Sequence, residues 1–290
     1  MRSEKQILDL ILTTAKEDER IRAVVLSGSR ADPGIPKDFF QDFDIVYMVT
    51  DVAPFARNFE WIKRFGELMI MQTPDDMADP PPHKKDGSYT YLMQFQDGNR
   101  IDLGIVPIAN KDRVLKDNPR QILIDKDGIF ENASQPDVPA RWRTPPDAKQ
   151  FADCCNEFWW VCPYVAKGLW RGELAYAKTI IDSFLRVELI RMLGWHVGVR
   201  SGFTKNPGKF GRFFEKHLEP ELWQLLVKTY PGAQFDDIWQ ALFAMAGLFR
   251  TAATEVAGHL GFEYPTGDDE RVGAHLKHVK SLSKKAKVLY

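Results

Sequence analysis

The apolar residues of this chain follow two different spacings, and the spacing changes about halfway along the sequence. In the first half, short runs rich in Val and Ile lie between Gly-, Pro- and Asp-rich loops. In the second half, apolar residues recur three and four apart over long segments. Short β-branched runs are typical of strands, and the longer period is typical of amphipathic helices. The sequence therefore predicts an α+β protein with an N-terminal mixed β-sheet domain, flanked by helices, and a C-terminal all-helical bundle domain.

The first half is predicted to begin with a helix at Glu4–Lys16 and to continue mainly as strands. The strands are predicted at Ile21–Ser27, Phe43–Val49, Glu67–Gln72, Tyr89–Gln96 and Arg100–Val106. The last two flank Asp97-Gly98-Asn99, which is a hairpin signal. A loop rich in Pro, Gly and Asp, residues 31–41, separates the first two strands.

A segment rich in Pro and Arg, Gln135–Pro146, is predicted to be a linker, so the predicted domains are residues 1–140 and 147–290. The helices of the second domain are predicted at Asp147–Arg171, Glu173–Leu193, Lys209–His217, Glu219–Tyr230, Asp236–His259 and Asp269–Lys287.

Charge and cysteine content narrow the class of protein. The 39 basic and 40 acidic residues give a net charge of −1, which argues against a nucleic-acid-wrapping protein. No apolar run approaches the ~18 residues that a membrane span needs, and the N-terminal segment predicts an amphipathic helix, not a signal peptide. Cys154, Cys155 and Cys162 form neither a disulfide framework nor a zinc pattern. We expect a cytoplasmic protein without nucleic-acid or membrane partners.

Two polar motifs follow the first predicted strand. Gly28-Ser29-Arg30 ends that strand, and a glycine turn of this kind can present backbone N–H groups to phosphate oxygens, with the Ser29 hydroxyl as a further donor. Asp42 and Asp44 lie two apart at the start of the next strand, so their side chains leave the same face, roughly 6.6 Å apart along the strand axis. Two carboxylates so placed can converge on a hard divalent cation such as Mg²⁺.

Asp102 lies between Ile101 and Leu103 in a later predicted strand, and a carboxylate there is costly unless it is paired or holds a metal. Three carboxylates beside a phosphate-binding turn suit metal-assisted phosphoryl-type transfer. Each motif alone is common: an Asp-x-Asp pair can be a cap or a solvated pair, and a strand Asp can belong to a structural ion pair. Their order along the chain resembles the nucleotidyltransferase superfamily.

The chain further resembles the aminoglycoside 6-adenylyltransferases, which inactivate streptomycin, in LSGSRAD, QDFDIVY, NRIDLGIVP, FWWVCPYVAKGLWRGEL and LRVELIRMLGWHVG. The resemblance spans nearly the whole chain. It implies that ATP donates AMP to a drug hydroxyl with Mg²⁺ and that pyrophosphate is released. It also implies that Asp42 and Asp44 are metal ligands and that Ser29 contacts the nucleotide phosphates. Asp102 would be the third carboxylate and the general base.

A polycationic drug needs local carboxylates and aromatic faces, because the net charge of −1 cannot attract it globally. In the predicted helix Asp147–Arg171, residues 153, 157 and 160 share one face. The candidate substrate contacts are Asp102, Asp153, Glu157, Trp159, Trp160, Tyr164 and, more weakly, Asp182. The alternative is that the tryptophans are core residues and the carboxylates are solvated.

Nucleotide phosphates need cations, and Lys205 and Lys209 lie in a Gly/Pro-rich turn that enters a predicted helix. A lysine at a helix N-terminus is unfavourable unless an anion binds there, which suggests triphosphate contact, although a plain surface turn is the alternative. The glycine spacing does not match a P-loop. Arg30, beside the phosphate turn, could also reach the nucleotide or could simply pair with an acid.

The sequence thus predicts an aminoglycoside O-adenylyltransferase with Mg²⁺ as cofactor and ATP and streptomycin as substrates, acting as a monomer or homodimer. One alternative keeps the chemistry with another acceptor, such as a protein, an RNA end or a metabolite. The other is a non-catalytic nucleotide-binding or antitoxin-like module.

Overall fold

The computed structural model describes residues 1–78, 86–116, 119–131 and 144–290. The chain divides into two compact units, Met1–Pro139 and Ala140–Tyr290. Most of the predicted linker Gln135–Pro146 lies outside the described residues, and 144–146 have no regular secondary structure.

The first unit contains a sheet of six strands. They are β1 (Ile21–Ser27), β2 (Phe43–Val49), β3 (Leu68–Gln72), β4 (Tyr89–Phe95), β5 (Arg100–Pro107) and β6 (Arg120–Asp125). Their order across the sheet is β3-β4-β5-β2-β1-β6. Strands β2 and β5 pair in parallel, and the other neighbours pair antiparallel. The mixed sheet confirms the α+β prediction for this half of the chain.

The strand positions follow the residue pattern closely, with one exception. Buried and partly exposed residues alternate along β4, as expected for side chains that leave opposite faces of a sheet. The predicted strands agree with the observed ones to within a residue or two. Strand β6 was not predicted, because it is an edge strand with exposed Gln121 and Ile122 and is defined by its pairing with β1.

Three helices accompany this sheet in the described part of the unit. They are α1 (Glu4–Glu17), α2 (Phe59–Ile62) and α3 (Lys111–Lys116). Helix α1 begins at a capping box in which Ser3 and Gln6 satisfy each other's backbone N–H groups. Its Ile7 and Ile11 are fully buried with residues of the strands, and the Tyr47 hydroxyl donates to the Ile11 carbonyl at 2.6 Å. This packing holds α1 against the sheet.

The second unit is helical throughout its described residues. Its helices are α4 (Ala148–Arg171), α5 (Leu174–Ile180), α6 (Arg186–Ser201), α7 (Phe214–His217), α8 (Pro220–Val227), α9 (Phe235–Leu260) and α10 (Thr266–Ser281), and a π-helical segment, Ile181–Leu185, joins α5 to α6. None of the described helices is long and apolar enough to span a membrane.

Four predicted helices of this unit differ from the observed ones at their ends. The helices predicted over Asp269–Lys287 and Glu219–Tyr230 end earlier, at Ser281 and Val227. The helix predicted to stop at Leu193 continues to Ser201, where Gly202 ends it in the left-handed conformation. The helix predicted over Lys209–His217 is a single 3-10 turn, Lys209–Gly211, followed by α7, because Phe210 has a φ of 56°. The local helical spacing therefore did not reveal the backbone break.

The core of the helical unit forms around α4 and α9. The rings of Phe158 and Phe249 stack with centroids 3.8 Å apart. Cys154, Cys155 and Cys162 are free thiols buried in the same cluster. Burial raises the pKa of Cys155 to about 12, so this thiol stays protonated and behaves as a small apolar side chain.

Candidate active site

The turn after β1 lies directly against one of the predicted carboxylates. Residues Gly28–Arg30 form one 3-10 turn, and Gly28 has a φ of 70°, a conformation that favours glycine. A Cβ added at Gly28 would lie 1.9 Å from Asp44 Oδ2. Glycine is therefore needed both for the backbone conformation and for the close approach of Asp44.

The three predicted carboxylates converge at one place on the sheet. Asp42 immediately precedes β2, Asp44 lies in β2, and the parallel register pairs Asp44 with Asp102 of β5. Each of the three offers an oxygen within 4.8 Å of the others, and all three are partly exposed. Carboxylate oxygens are the ligands that Mg²⁺ prefers, and this group is reachable from solvent, so the donor set fits a divalent cation.

In the structure, the Arg100 guanidinium lies beside these carboxylates. Arg100 was not singled out from the sequence. Its Nε donates to Asp102 Oδ1 at 2.7 Å and its Nη2 donates to Asp102 Oδ2 at 2.7 Å. Its Nε also lies 3.9 Å from Asp42 Oδ2. The hydrogen bonds that Arg100 donates to Asp102 hold the pKa of Arg100 above its usual value. Its position two residues before Asp102 on a strand was the available signal, because such side chains share a face.

Arg30 stabilises the backbone around Asp42. Its side chain is 6% exposed and donates to the carbonyls of Gln41 at 2.6 Å and Asp42 at 3.0 Å. Its guanidinium also lies 3.8 Å from the ring centroid of Phe43. Burial lowers the pKa of Arg30. These contacts fix the backbone that leads into the Asp-x-Asp pair; direct contact of Arg30 with a nucleotide stays a prediction.

The predicted drug-binding residues of α4 divide between its surface and the core. Asp153, Glu157 and Trp160 lie on the exposed face, and Trp160 is 62% exposed. Tyr164 is partly exposed and meets Trp160 edge to face, with centroids 6.2 Å apart. Trp159 is only 2% exposed and packs in the helical core. The structure therefore groups the first four residues on one side of α4 and separates Trp159 from them.

The remaining predicted residues of the helical unit carry exposed charges. Asp182 lies in the π-helical segment and pairs with Lys178 at 3.1 Å and Arg186 at 3.0 Å. Lys205 and Lys209 are exposed in the segment between α6 and α7. Lys209 begins a 3-10 turn, so the helix N-terminus predicted at this lysine is wrong.

A polar cavity of about 380 Å³ adjoins Asp153 within the helical unit. Arg191 and Trp195 of α6 line it. Arg191 donates to Glu188 at 2.7 Å, and burial raises the pKa of the Glu188 carboxyl, with Glu157 adding to that effect. Sequence reasoning missed these α6 residues. Their only signal was the LRVELIRMLGWHVG segment, in which polar residues interrupt a helical apolar pattern.

The chain is similar to known proteins over most of its length. The family model described as streptomycin adenylyltransferase matches residues 1–279. The aminoglycoside 6-adenylyltransferase of Bacillus subtilis (strain 168) is 38% identical over 276 residues, covering 93% of this chain and 95% of that protein. The Campylobacter jejuni aminoglycoside 6-adenylyltransferase is 38% identical over 271 residues, covering 93% of each.

Among solved structures, the chain is similar to the crystal structure of an aminoglycoside 6-adenyltransferase from Bacillus subtilis. The two share 34% sequence identity with a TM-score of 0.48, and the match covers 97% of this chain and 100% of that one. The family model matches nearly the whole chain, and the relatives are similar over almost their full length. The chain therefore belongs to the streptomycin adenylyltransferase family, a family of nucleotidyltransferases.

Proposed function

We propose that this protein transfers AMP from ATP to a hydroxyl of streptomycin and thereby inactivates the drug, which would confer antibiotic resistance. The observation that supports this most directly is the convergence of Asp42, Asp44 and Asp102 within 4.8 Å of one another beside the Gly28 turn. The family of the chain supplies the reaction type and the acceptor class.

In this proposal Asp42, Asp44 and Asp102 hold Mg²⁺. When bound, the ion neutralises charge on the nucleotide phosphates and on the leaving pyrophosphate. Asp44 in β2 and Asp42 immediately before it already offer oxygens within 4.8 Å of each other, so they can reach a common cation without rearrangement of the strand.

The nucleotide phosphates would be bound by the turn after β1. Gly28 and Ser29 present backbone N–H groups and one hydroxyl there, and Arg30 keeps the neighbouring Asp42 segment in place. Lys205 and Lys209 are proposed as further phosphate contacts, which their exposed ammonium groups allow. Apart from these two lysines, we assign MgATP binding and catalysis to residues 1–140. Apart from the Asp102 contact, we assign drug binding to residues 147–290.

Asp102 is proposed as the general base, in addition to its contact with the metal and the drug. The acceptor hydroxyl gives its proton to an Asp102 oxygen while the hydroxyl oxygen forms a bond to the α-phosphorus, and the bond from that phosphorus to the bridging oxygen of pyrophosphate breaks. Arg100 donates to both Asp102 oxygens in the structure, and opening of this pairing would give the acceptor hydroxyl better access to Asp102.

Drug recognition is assigned to the exposed side of α4. Asp153 and Glu157 offer carboxylates for guanidinium and ammonium groups, and Trp160 and Tyr164 offer ring faces. In the structure, Asp153 pairs with Lys149, and Asp182 pairs with Lys178 and Arg186. A cationic drug would therefore replace an existing partner at either carboxylate. Trp159 would act indirectly, by supporting α4 from the core.

Pyrophosphate release is the direct test. Purified protein is incubated with Mg²⁺, with ATP or GTP, and with a panel of aminoglycosides that includes streptomycin. We expect release to require streptomycin and to fall at least ~100-fold in Asp44→Asn, because this change removes a ligand charge from the metal site while the side-chain volume is kept. Asp112→Asn, an exposed acid of the same unit, is the matched control.

Three outcomes would replace the proposal. Turnover that no aminoglycoside stimulates would favour another acceptor. Nucleotide binding by calorimetry without Mg²⁺-dependent turnover would favour a non-catalytic module. Full activity of a folded Asp44→Asn variant would remove the metal assignment.

A further inference from the structure

We propose that Arg100 is a counter-ion of the active site, which pairs with Asp102 and lies beside Asp42 before metal binds and leaves Asp102 when it does. As a consequence, the free enzyme binds metal weakly and takes it up together with the nucleotide. This inference rests on the proposed metal site of Asp42, Asp44 and Asp102.

The pairing of Arg100 with Asp102 competes directly with metal coordination. Both Asp102 oxygens accept a hydrogen bond of 2.7 Å from the guanidinium, and Asp42 Oδ2 lies 3.9 Å from its Nε. A metal ion that coordinates Asp102 therefore competes with the guanidinium for the same carboxylate. Two cations cannot both lie close to one small carboxylate group without repelling each other.

The mutual repulsion of the three carboxylates explains why a cation lies beside them. Ionised oxygens within 4.8 Å of one another repel, so a counter-ion beside Asp102 stabilises their close approach. The planar fork of an arginine matches a carboxylate with two parallel hydrogen bonds. Arg100 thereby offsets part of the repulsion within the acidic group.

Arg100 is also free to leave. Its side chain is 44% exposed, so the guanidinium can swing into solvent without opening the core. Ion pairs with this exposure contribute little to stability, so a divalent cation can displace the guanidinium.

The nucleotide would favour this displacement. Its phosphates bring additional negative charge to the turn beside Asp44, and a released guanidinium can donate to phosphate oxygens as it did to Asp102. Metal and nucleotide then strengthen each other's binding, because each stabilises the state in which Arg100 has left Asp102.

The test measures Mn²⁺ binding to the full chain, by the loss of the free-ion electron paramagnetic resonance signal, with and without a non-hydrolysable ATP analogue. Without nucleotide, we expect Arg100→Ala to bind Mn²⁺ about fivefold more tightly than wild type, which corresponds to about 1 kcal/mol. The gain in Mn²⁺ affinity on adding the analogue should shrink in this variant. Arg100→Lys should lie between the two proteins, because a lysine keeps the charge and loses the planar fork.

Arg20→Ala is the matched control. Arg20 also pairs with a carboxylate two residues away, with hydrogen bonds of 2.8 Å and 2.6 Å to Asp18, and it is 47% exposed. This control should bind Mn²⁺ as wild type does. Thermal unfolding of all variants checks that each is folded.

An unchanged or weakened Mn²⁺ affinity in folded Arg100→Ala would overturn the inference. If Asp44→Asn abolishes Mn²⁺ binding at the same time, the proposed metal site survives and only the role of Arg100 fails. If wild type and Asp44→Asn bind Mn²⁺ equally, both the metal site and the inference are wrong.

Discussion

Replacing Gly28 by alanine tests how closely the phosphate turn and the carboxylates depend on each other. The new Cβ would lie 1.9 Å from Asp44 Oδ2 and 2.8 Å from Asp44 Cγ. Real Cβ contacts are essentially never shorter than 3.0 Å, so either the carboxylate or the turn has to move by about 1 Å or more. The φ of 70° adds a backbone penalty of about 1–2 kcal/mol for any residue with a Cβ.

The two effects of Gly28→Ala have different readouts. The backbone penalty should lower the free energy of unfolding by about 1–2 kcal/mol in urea titrations. Misplacing Asp44 by about 1 Å should lower kcat for pyrophosphate release by about 100-fold, because the reacting groups lose their alignment. Mn²⁺ binding should weaken as well, since Asp44 is a proposed ligand.

Gly98→Ala separates the two effects. Gly98 has a φ of 86° in the hairpin between β4 and β5, and a Cβ there would meet no atom within 4 Å. It should therefore lose stability as Gly28→Ala does and keep both turnover and Mn²⁺ affinity. If the two variants have equal kcat and equal Mn²⁺ affinity, the steric link between the turn and Asp44 is wrong.

Two further predictions concern the helical unit and the N-terminal segment. Trp159→Ala should lower the free energy of unfolding by about 3–5 kcal/mol, because its side chain is buried. Trp160→Ala, on the exposed side of α4, should change the free energy of unfolding by less than about 0.5 kcal/mol and raise the KM for streptomycin. Equal unfolding midpoints of the two variants would contradict the packing. The hydrogen bonds from Arg2 hold the pKa of Asp97 below its usual value. A carboxyl with a lowered folded pKa stabilises the fold above its unfolded pKa of about 3.9 and loses that contribution as the pH falls. The free energy of unfolding of wild type should therefore exceed that of Asp97→Asn by about 1 kcal/mol or less at pH 7, and this difference should shrink in acid. Urea unfolding at each pH measures it. A difference that persists unchanged at pH 2 would refute the assignment.

Much of the candidate site could be predicted from the sequence because its signals are local. A β-branched run that stops at Gly28 identifies the end of a strand, and an Asp-x-Asp pair at the start of the next strand places two carboxylates on one face. Asp102, alone among apolar residues of β5, stood out for the energetic reason that an unpaired carboxylate is costly there. The structure brings these residues together, while their catalytic roles stay predictions.

Other features depend on contacts between distant segments and escaped prediction. Arg30 was predicted to reach a nucleotide or to pair with an acid, and it lies 3.6 Å from Glu4. Its contacts with the 41–42 backbone and the Phe43 ring were not evident from its position in the chain. Trp159 and Trp160 are neighbours in sequence, and only the packing of α4 against Phe249 in α9 separates a core ring from an exposed one. Helical spacing predicted which residues share a face of the helix, but it did not decide which face is buried.

The amino-acid sequence by itself determined most of the element types, the glycine turn, the acidic residues and the family, because propensity, period and motif order act over short stretches of chain. The tertiary structure alone decided that β2 and β5 are parallel neighbours with Asp44 opposite Asp102, and that Arg100 bridges towards Asp42. The physical reason is that strand pairing is a hydrogen-bond register between segments far apart in the chain, and the residues of either strand do not specify it alone.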